Sequence, residues 1–225
     1  MKSLLKCLAL VGTAAAFAVA AHATIIGGAV TGGSAFTAGG VFVSLAPPIG
    51  NPFGAPNSVG NNTFQNPNLY GFNEDQNVFV GPSALLADEV AGGGPGSIAA
   101  GVEVASHYIF FDPVSNSQIG WVDFDAKILA VIKSTANLLA SDYLANTGVN
   151  YLNPTARGLE PSDSATIDSL LNYRLNVDWV ASSPGDYVRV LTEHSPRAVP
   201  DSVSTLALLG GALLSLTALR RRFIA

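Results

Sequence analysis

Residues 171–179 (Leu-Asn-Tyr-Arg-Leu-Asn-Val-Asp-Trp) alternate apolar and polar without a fault, and that alternation narrows the fold more than any other stretch. Successive side chains of a β-strand point to opposite faces, so period two reads as a strand with one dry face. Leu171, Tyr173, Leu175, Val177 and Trp179 would line a core, while Asn172, Arg174, Asn176 and Asp178 would face water. A strand wet on one side belongs to an antiparallel sheet. Residues 186–192 (DYVRVLT) follow a Ser-Pro-Gly turn, so the two segments are expected to form a hairpin.

The same pattern recurs upstream. Residues 102–111 and 119–124 flank an Asp112-Pro113 turn and read as a second strand pair, with 127–132 extending it or starting the next strand. Residues 40–45, 77–80 and 85–90 are shorter strand candidates. Residues 134–145 break the pattern, with Leu138, Leu139 and Leu144 at near-helical spacing behind Ser134 as N-cap, which predicts one short helix. Residues 50–69, rich in Asn, Pro and Gly, read as a long loop, and the glycine cluster at 92–96 as a turn. Residues 24–40 are small and Gly-rich, either partly disordered or an edge strand. The fold class expected is mostly β: an antiparallel sandwich of jelly-roll type with one short helix. No internal repeat is visible, which argues against a propeller or solenoid.

The two ends read as targeting segments. Lys2 and Lys6 precede an apolar stretch over 8–20, and Ala21-His22-Ala23 supplies the small-x-small pattern that signal peptidase cleaves, making Thr24 the first mature residue. The one cysteine, Cys7, leaves with this segment, so thiol chemistry and disulfides are excluded from the mature chain. At the other end, Val199-Pro200-Asp201-Ser202 is followed by a 17-residue apolar run over 203–219 and then Arg220, Arg221 and Arg222. At ~1.5 Å per residue that run spans about 25 Å as a helix, slightly short of a ~30 Å hydrocarbon core. The Arg cluster stays cytoplasmic by the positive-inside rule, which places the body outside. The expected organisation is a signal helix at 1–23, an ectodomain at 24–194, a linker with its motif at 195–202 and a C-terminal transmembrane helix at 203–225. Between Thr24 and Arg197 there are 15 acidic against 6 basic side chains. A body so acidic is unsuited to nucleic acid, which requires a basic surface.

The tetrapeptide, the short apolar helix and the terminal Arg cluster resemble the PEP-CTERM sorting signal, in its Val-Pro-Asp-Ser-Gly variant, with Val203 where that variant usually has Gly. The resemblance implies a Gram-negative exosortase substrate. Val199, Pro200, Asp201 and Ser202 would be the recognition positions and Arg220, Arg221 and Arg222 the retention cluster, with processing near the tetrapeptide. Delivery to the cell surface or an exopolysaccharide matrix would follow. The segments GFNEDQNV, SHYIFFDP and GDYVRVLT are similar to ectodomains found ahead of such tails, which have no established activity to carry over.

The body offers little chemistry. Ser106, His107 and Asp112 could be written as a triad, but no G-x-S-x-G elbow is present, and neighbours on a strand point to opposite faces. Zinc lacks ligands, with only His107 and His194 left in the mature chain. Calcium is the one ion whose donor set is present, at Asp123 and Asp125 on one strand face or at Glu74, Asp75 and Asn77 in a polar loop. Solvated carboxylates explain both groups more simply, so no metal or cofactor is assigned. Glu103, Glu160 and Glu193 are isolated candidates for the paired carboxylates of glycoside hydrolysis. Tyr108, Trp121, Tyr151, Tyr173 and Trp179 could stack on sugars if exposed; Tyr173 and Trp179 lie on the apolar face of their strand, while Trp121 shares a face with Asp123 and Asp125, which makes these three the best surface for a sugar. Three functions follow: a non-catalytic structural or adhesive surface protein first, a carbohydrate-binding module second, and an exported hydrolase third.

Overall fold

A computed structural model describes residues 23–194. The signal segment up to Ala21, the motif residues Val199, Pro200, Asp201 and Ser202, the apolar run and the Arg cluster lie outside these residues. Strands dominate: β1 (Ile25–Gly32), β2 (Phe42–Leu45), β3 (Ser58–Val59), β4 (Leu69–Asn73), β5 (Val78–Phe79), β6 (Leu85–Ala87), β7 (Glu89–Val90), β8 (Gly96–Ile98), β9 (Glu103–Phe111), β10 (Asn116–Phe124), β11 (Ile128–Ile132), β12 (Asn150–Tyr151), β13 (Ser164–Ile167), β14 (Arg174–Ala181) and β15 (Asp186–Glu193). Two short helices, α1 (Gly33–Thr37) and α2 (Thr135–Ala140), and 3-10 turns at Asp142–Leu144 and Pro154–Ala156 complete the chain.

Four strands in the order β1-β10-β14-β13 form one sheet, and β2-β4-β9-β15-β11-β7, with β5 also on β9, form a seven-stranded sheet. Pairing is antiparallel except for β2 with β4 and β12 with β3. Residues 24–40 are thus an edge strand, β1, followed by α1. The two larger sheets face one another across a core of Ile109 and Phe111 from β9, Val122 and Phe124 from β10, Leu175, Val177 and Trp179 from β14, and Val188 and Val190 from β15. In β14 the buried–exposed alternation follows the sequence pattern at Leu175, Val177 and Trp179 and continues to Ala181.

The larger sheet is buried on both faces, which a two-layer sandwich would not require. Its far face carries Tyr70, Phe72, Tyr108, Phe110, Tyr187 and Leu191, covered by Phe64 and Val80 from loops and by Leu138 and Leu144 from the helical segment. β9 and β15 are therefore buried along almost their whole length, as strands covered on both sides are. Tyr108 and Phe110 stack on Tyr187 with ring centroids 6.0 and 5.9 Å apart, and Phe64 packs on Tyr70 at 4.5 Å.

Both expected hairpins are corrected. β14 pairs with β10 and β13, whereas β15 pairs with β9 and β11 in the other sheet. β9 and β10 likewise lie in different sheets. Each short link carries the chain across the core instead of back along the same sheet, because both flanking strands bring apolar side chains to that core from opposite sides. Residues 127–132 start a new strand, β11, and residues 85–90 split at Asp88 into β6 and β7. The split has a purpose. Asp88 Oδ2 accepts from the backbone N–H groups of Lys133 (2.7 Å) and Ser134 (2.8 Å), and Asn137 Nδ2 donates to Oδ1 at 2.8 Å. Ser134 holds the N-cap position but makes no side-chain cap bond; Asp88, in the link between β6 and β7, instead meets the Ser134 N–H and the Asn137 side chain and so anchors the start of α2. Burial alone would raise the Asp88 carboxyl, but these hydrogen bonds outweigh it and hold its pKa below the usual value.

Candidate functional site

The register of β10 and β14 sets Trp121 opposite Asn176 and Asp123 opposite Arg174. These side chains stand on the outer face of the smaller sheet, since Val122, Phe124, Leu175 and Val177 of the same strands fill the core. Arg174 Nε and Nη2 donate to Asp123 Oδ1 and Oδ2 at 2.6 and 2.7 Å, a bidentate pair. The same guanidinium lies 3.9 Å from the centroid of the Trp121 ring, in cation–π contact. Hydrogen bonding to Asp123 pushes the Arg174 pKa up, so the ring remains under a cation. Asp125 is also engaged, its Oδ1 accepting from the Thr24 backbone N–H at 2.7 Å and its Oδ2 from Thr24 Oγ1 at 3.1 Å. The structure places Trp121 and Asp123 on one face of β10, with Asp125 one residue past its end; Arg174 covers the stacking surface and both acids have partners.

Glu74 is not a loop carboxylate open to an ion. It is buried, and Arg189 Nε and Nη2 donate to its two oxygens at 2.6 and 3.0 Å. Ser106 Oγ and Tyr151 Oη add bonds at 2.6 and 2.7 Å. Arg189 also donates from Nη1 to Ser141 Oγ (2.5 Å) and the Leu138 carbonyl (3.2 Å), and from Nη2 to Asp142 Oδ1 (3.3 Å). This network fastens the helical segment to the covered face of the larger sheet. Asp75, whose carboxyl is pushed up mainly by burial, and Asn77 flank it without completing an oxygen cage.

Ser106 and His107 point to opposite faces of β9. Ser106 bonds Glu74, whereas His107 packs on Phe124 with ring centroids 4.8 Å apart. Asn73 Oδ1 accepts from the Ile25 backbone N–H at 3.3 Å and from His107 Nδ1 at 2.8 Å, so Nδ1 carries the proton and Nε2 accepts from Thr192 Oγ1 at 3.1 Å. Burial lowers the His107 pKa to about 3, which keeps the ring neutral. Asp112 is elsewhere, accepting from the backbone N–H groups of Asn62 and Phe64, each at 3.2 Å. Tyr108 and Trp179 are core and Tyr151 is half-buried. Leu171 and Tyr173 are corrected: the strand begins at Arg174, three residues later than the alternation implied, leaving Leu171 half-buried and Tyr173 38% exposed.

Of the isolated glutamates, Glu193 is exposed and Glu103 half-buried, each at an end of its strand. Glu160 instead converges with Asp163 and Asp186, their ligand atoms lying within 4.8 Å of one another. Sequence reasoning missed Arg189, Asp163 and Asp186. A lone Arg inside an apolar strand was the available signal for the first, and two acids three residues apart around Pro161 for the second.

Among the described residues no helix is long and apolar enough to cross a membrane; both expected targeting helices lie outside them. Thr24 is the residue immediately before β1. The body is thus a mostly β domain bounded by Ile25 and Glu193, and the functional information in the chain beyond it lies at the C-terminus. Residues 198–223 match the VPDSG-CTERM motif, a C-terminal sorting signal of PEP-CTERM type. No curated protein and no solved structure matches the chain.

Proposed function

We propose that the chain is an exported structural or adhesive protein of the cell surface or extracellular matrix, delivered there by an exosortase. The observation that carries this reading is the VPDSG-CTERM motif at residues 198–223. Signal peptidase removes residues 1–23, the apolar run with Arg220, Arg221 and Arg222 holds the precursor at the inner membrane, and processing near Val199, Pro200, Asp201 and Ser202 releases the body. The body suits a passive surface role. Its larger sheet is sealed on both faces, its acidic excess resists collapse onto anionic polymers, and the aromatic best placed for a sugar lies under Arg174.

Intact-mass analysis of membrane, envelope and medium fractions from the producing cell tests the proposal. Loss of residues 1–23 together with cleavage near 199–202 is expected in the envelope or medium. A species intact through Arg222 and confined to the inner membrane would overturn it.

A further inference from the structure

We propose that Glu160, Asp163 and Asp186 form a calcium site that clips the edge of the four-stranded sheet to the seven-stranded sheet. The three acids come from two places in the fold. Asp163 precedes β13, the edge strand of the smaller sheet, and its backbone N–H donates to the Glu160 carbonyl at 3.0 Å, closing the turn that sets both carboxylates side by side. Asp186 is the first residue of β15 in the larger sheet. Asp163 Oδ1 is fixed by the Val180 backbone N–H at 3.0 Å, which leaves Oδ2 as the free oxygen facing its neighbours.

The decisive residue is Asp186. It is 1% exposed, and among the described residues no N–H or hydroxyl donor reaches either of its carboxylate oxygens; Asp163 Oδ2 is likewise buried without one. Ion pairs among the described residues leave all three acids untouched. A buried carboxylate without donors beside two more carboxylates is strongly disfavoured in its charged form. A cation removes that conflict. The donor set is all oxygen, which selects a hard ion. Magnesium keeps several waters and is usually held through one or two carboxylates, whereas calcium takes six to eight oxygens in flexible geometry. Glu160, Asp163 and Asp186 each bring an oxygen to within 4.8 Å of the others, and a set of three protein carboxylates suits calcium. Glu160 is exposed and gives the ion its entry, with water filling the remaining positions.

The test is isothermal titration of the EDTA-stripped full chain with CaCl2, and separately with MgCl2, paired with thermal melts. Saturable 1:1 calcium binding is expected, with Tm raised by about 3–10 °C at 10 mM for an affinity in the range of extracellular calcium modules. Asp186→Asn is expected to abolish the response while melting no lower than wild type in EDTA, since it removes a buried like charge. Glu160→Gln, at an exposed position that does not risk folding, is expected to weaken binding at least tenfold. Asp178→Asn, on the outer face of the smaller sheet, is expected to bind as wild type does. No calcium heat and no melting shift in wild type, with Asp186→Asn more stable than wild type in EDTA, would overturn the site and leave three carboxyls sharing protons. An equal response to magnesium would overturn the choice of ion.

Discussion

The Arg189–Glu74 pair allows the sharpest test of how the body holds together. Both side chains are fully buried and joined by two hydrogen bonds of 2.6 and 3.0 Å. Arg189→Met keeps most of the side-chain volume but strands the Glu74 carboxylate in the interior with only Ser106 and Tyr151 as donors. Removing one partner of a buried pair costs about 3–5 kcal/mol, because an uncompensated charge remains. It also removes the cation at the end of α2, where Arg189 meets the Leu138 carbonyl and Ser141. Glu74→Leu is expected to cost as much by stranding the guanidinium. The double variant leaves no buried charge but frees Ser106, Tyr151 and Ser141, each worth ~1 kcal/mol, so it should lose only about 2–3 kcal/mol. Urea denaturation of the full chain and its three variants closes the cycle, with an expected coupling of about 3 kcal/mol or more. Single losses below ~1 kcal/mol, or additive losses, would refute the claim that this pair fastens the helical segment to the sheet.

His107 predicts a pH dependence. Its folded pKa is lowered to about 3 by burial, against about 6.5 unfolded, so the unfolded chain binds the extra proton between those values. The stability it contributes is complete above pH ~6.5 and is lost as pH falls toward 3, by up to about 1.4 kcal/mol per unit; His107→Gln should flatten that part of the wild-type curve in urea midpoints. Cleavage before Thr24 would turn its N–H, 2.7 Å from Asp125, into an ammonium. Asp125→Ala should then lower stability by about 0.5–1 kcal/mol in protein starting at Thr24 and by less in uncleaved precursor, measured by paired melts. At Gly120 an added Cβ would lie 2.5 Å from the Ala29 carbonyl oxygen, so Gly120→Ala should cost about 1–3 kcal/mol by shift of the urea midpoint.

Strand identity was legible where one face is wet. In β14, polar Asn176 and Asp178 mark the outside and Leu175, Val177 and Trp179 the inside, and period two needs no further information. What no local pattern carries is the sheet to which a strand belongs. The link between β14 and β15 is as short as a hairpin's, yet it crosses the core. The warning lay in residues 104–111, where a strand with almost no polar break has to be covered on both sides, and that implies a third layer.

Charge obeys the same division. The two-residue spacing of Trp121 and Asp123 puts them on one face of β10, but the residue that decides their chemistry, Arg174, arrives from a neighbouring strand 51 positions after Asp123. Arg189 meets Glu74 across 115 positions, and Asp186 meets Glu160 and Asp163 from the opposite sheet. An ionised side chain in the middle of a buried strand implies a partner on energetic grounds alone. The sequence therefore announces that Arg189 needs a counter-charge, without saying where it comes from, whereas Asp186, first in its strand after the Ser-Pro-Gly turn, carries no such signal. For Arg189 the fold supplies a carboxylate. For Asp186 it supplies two more acids, and the same requirement that explains the first pair leaves the second short of a cation.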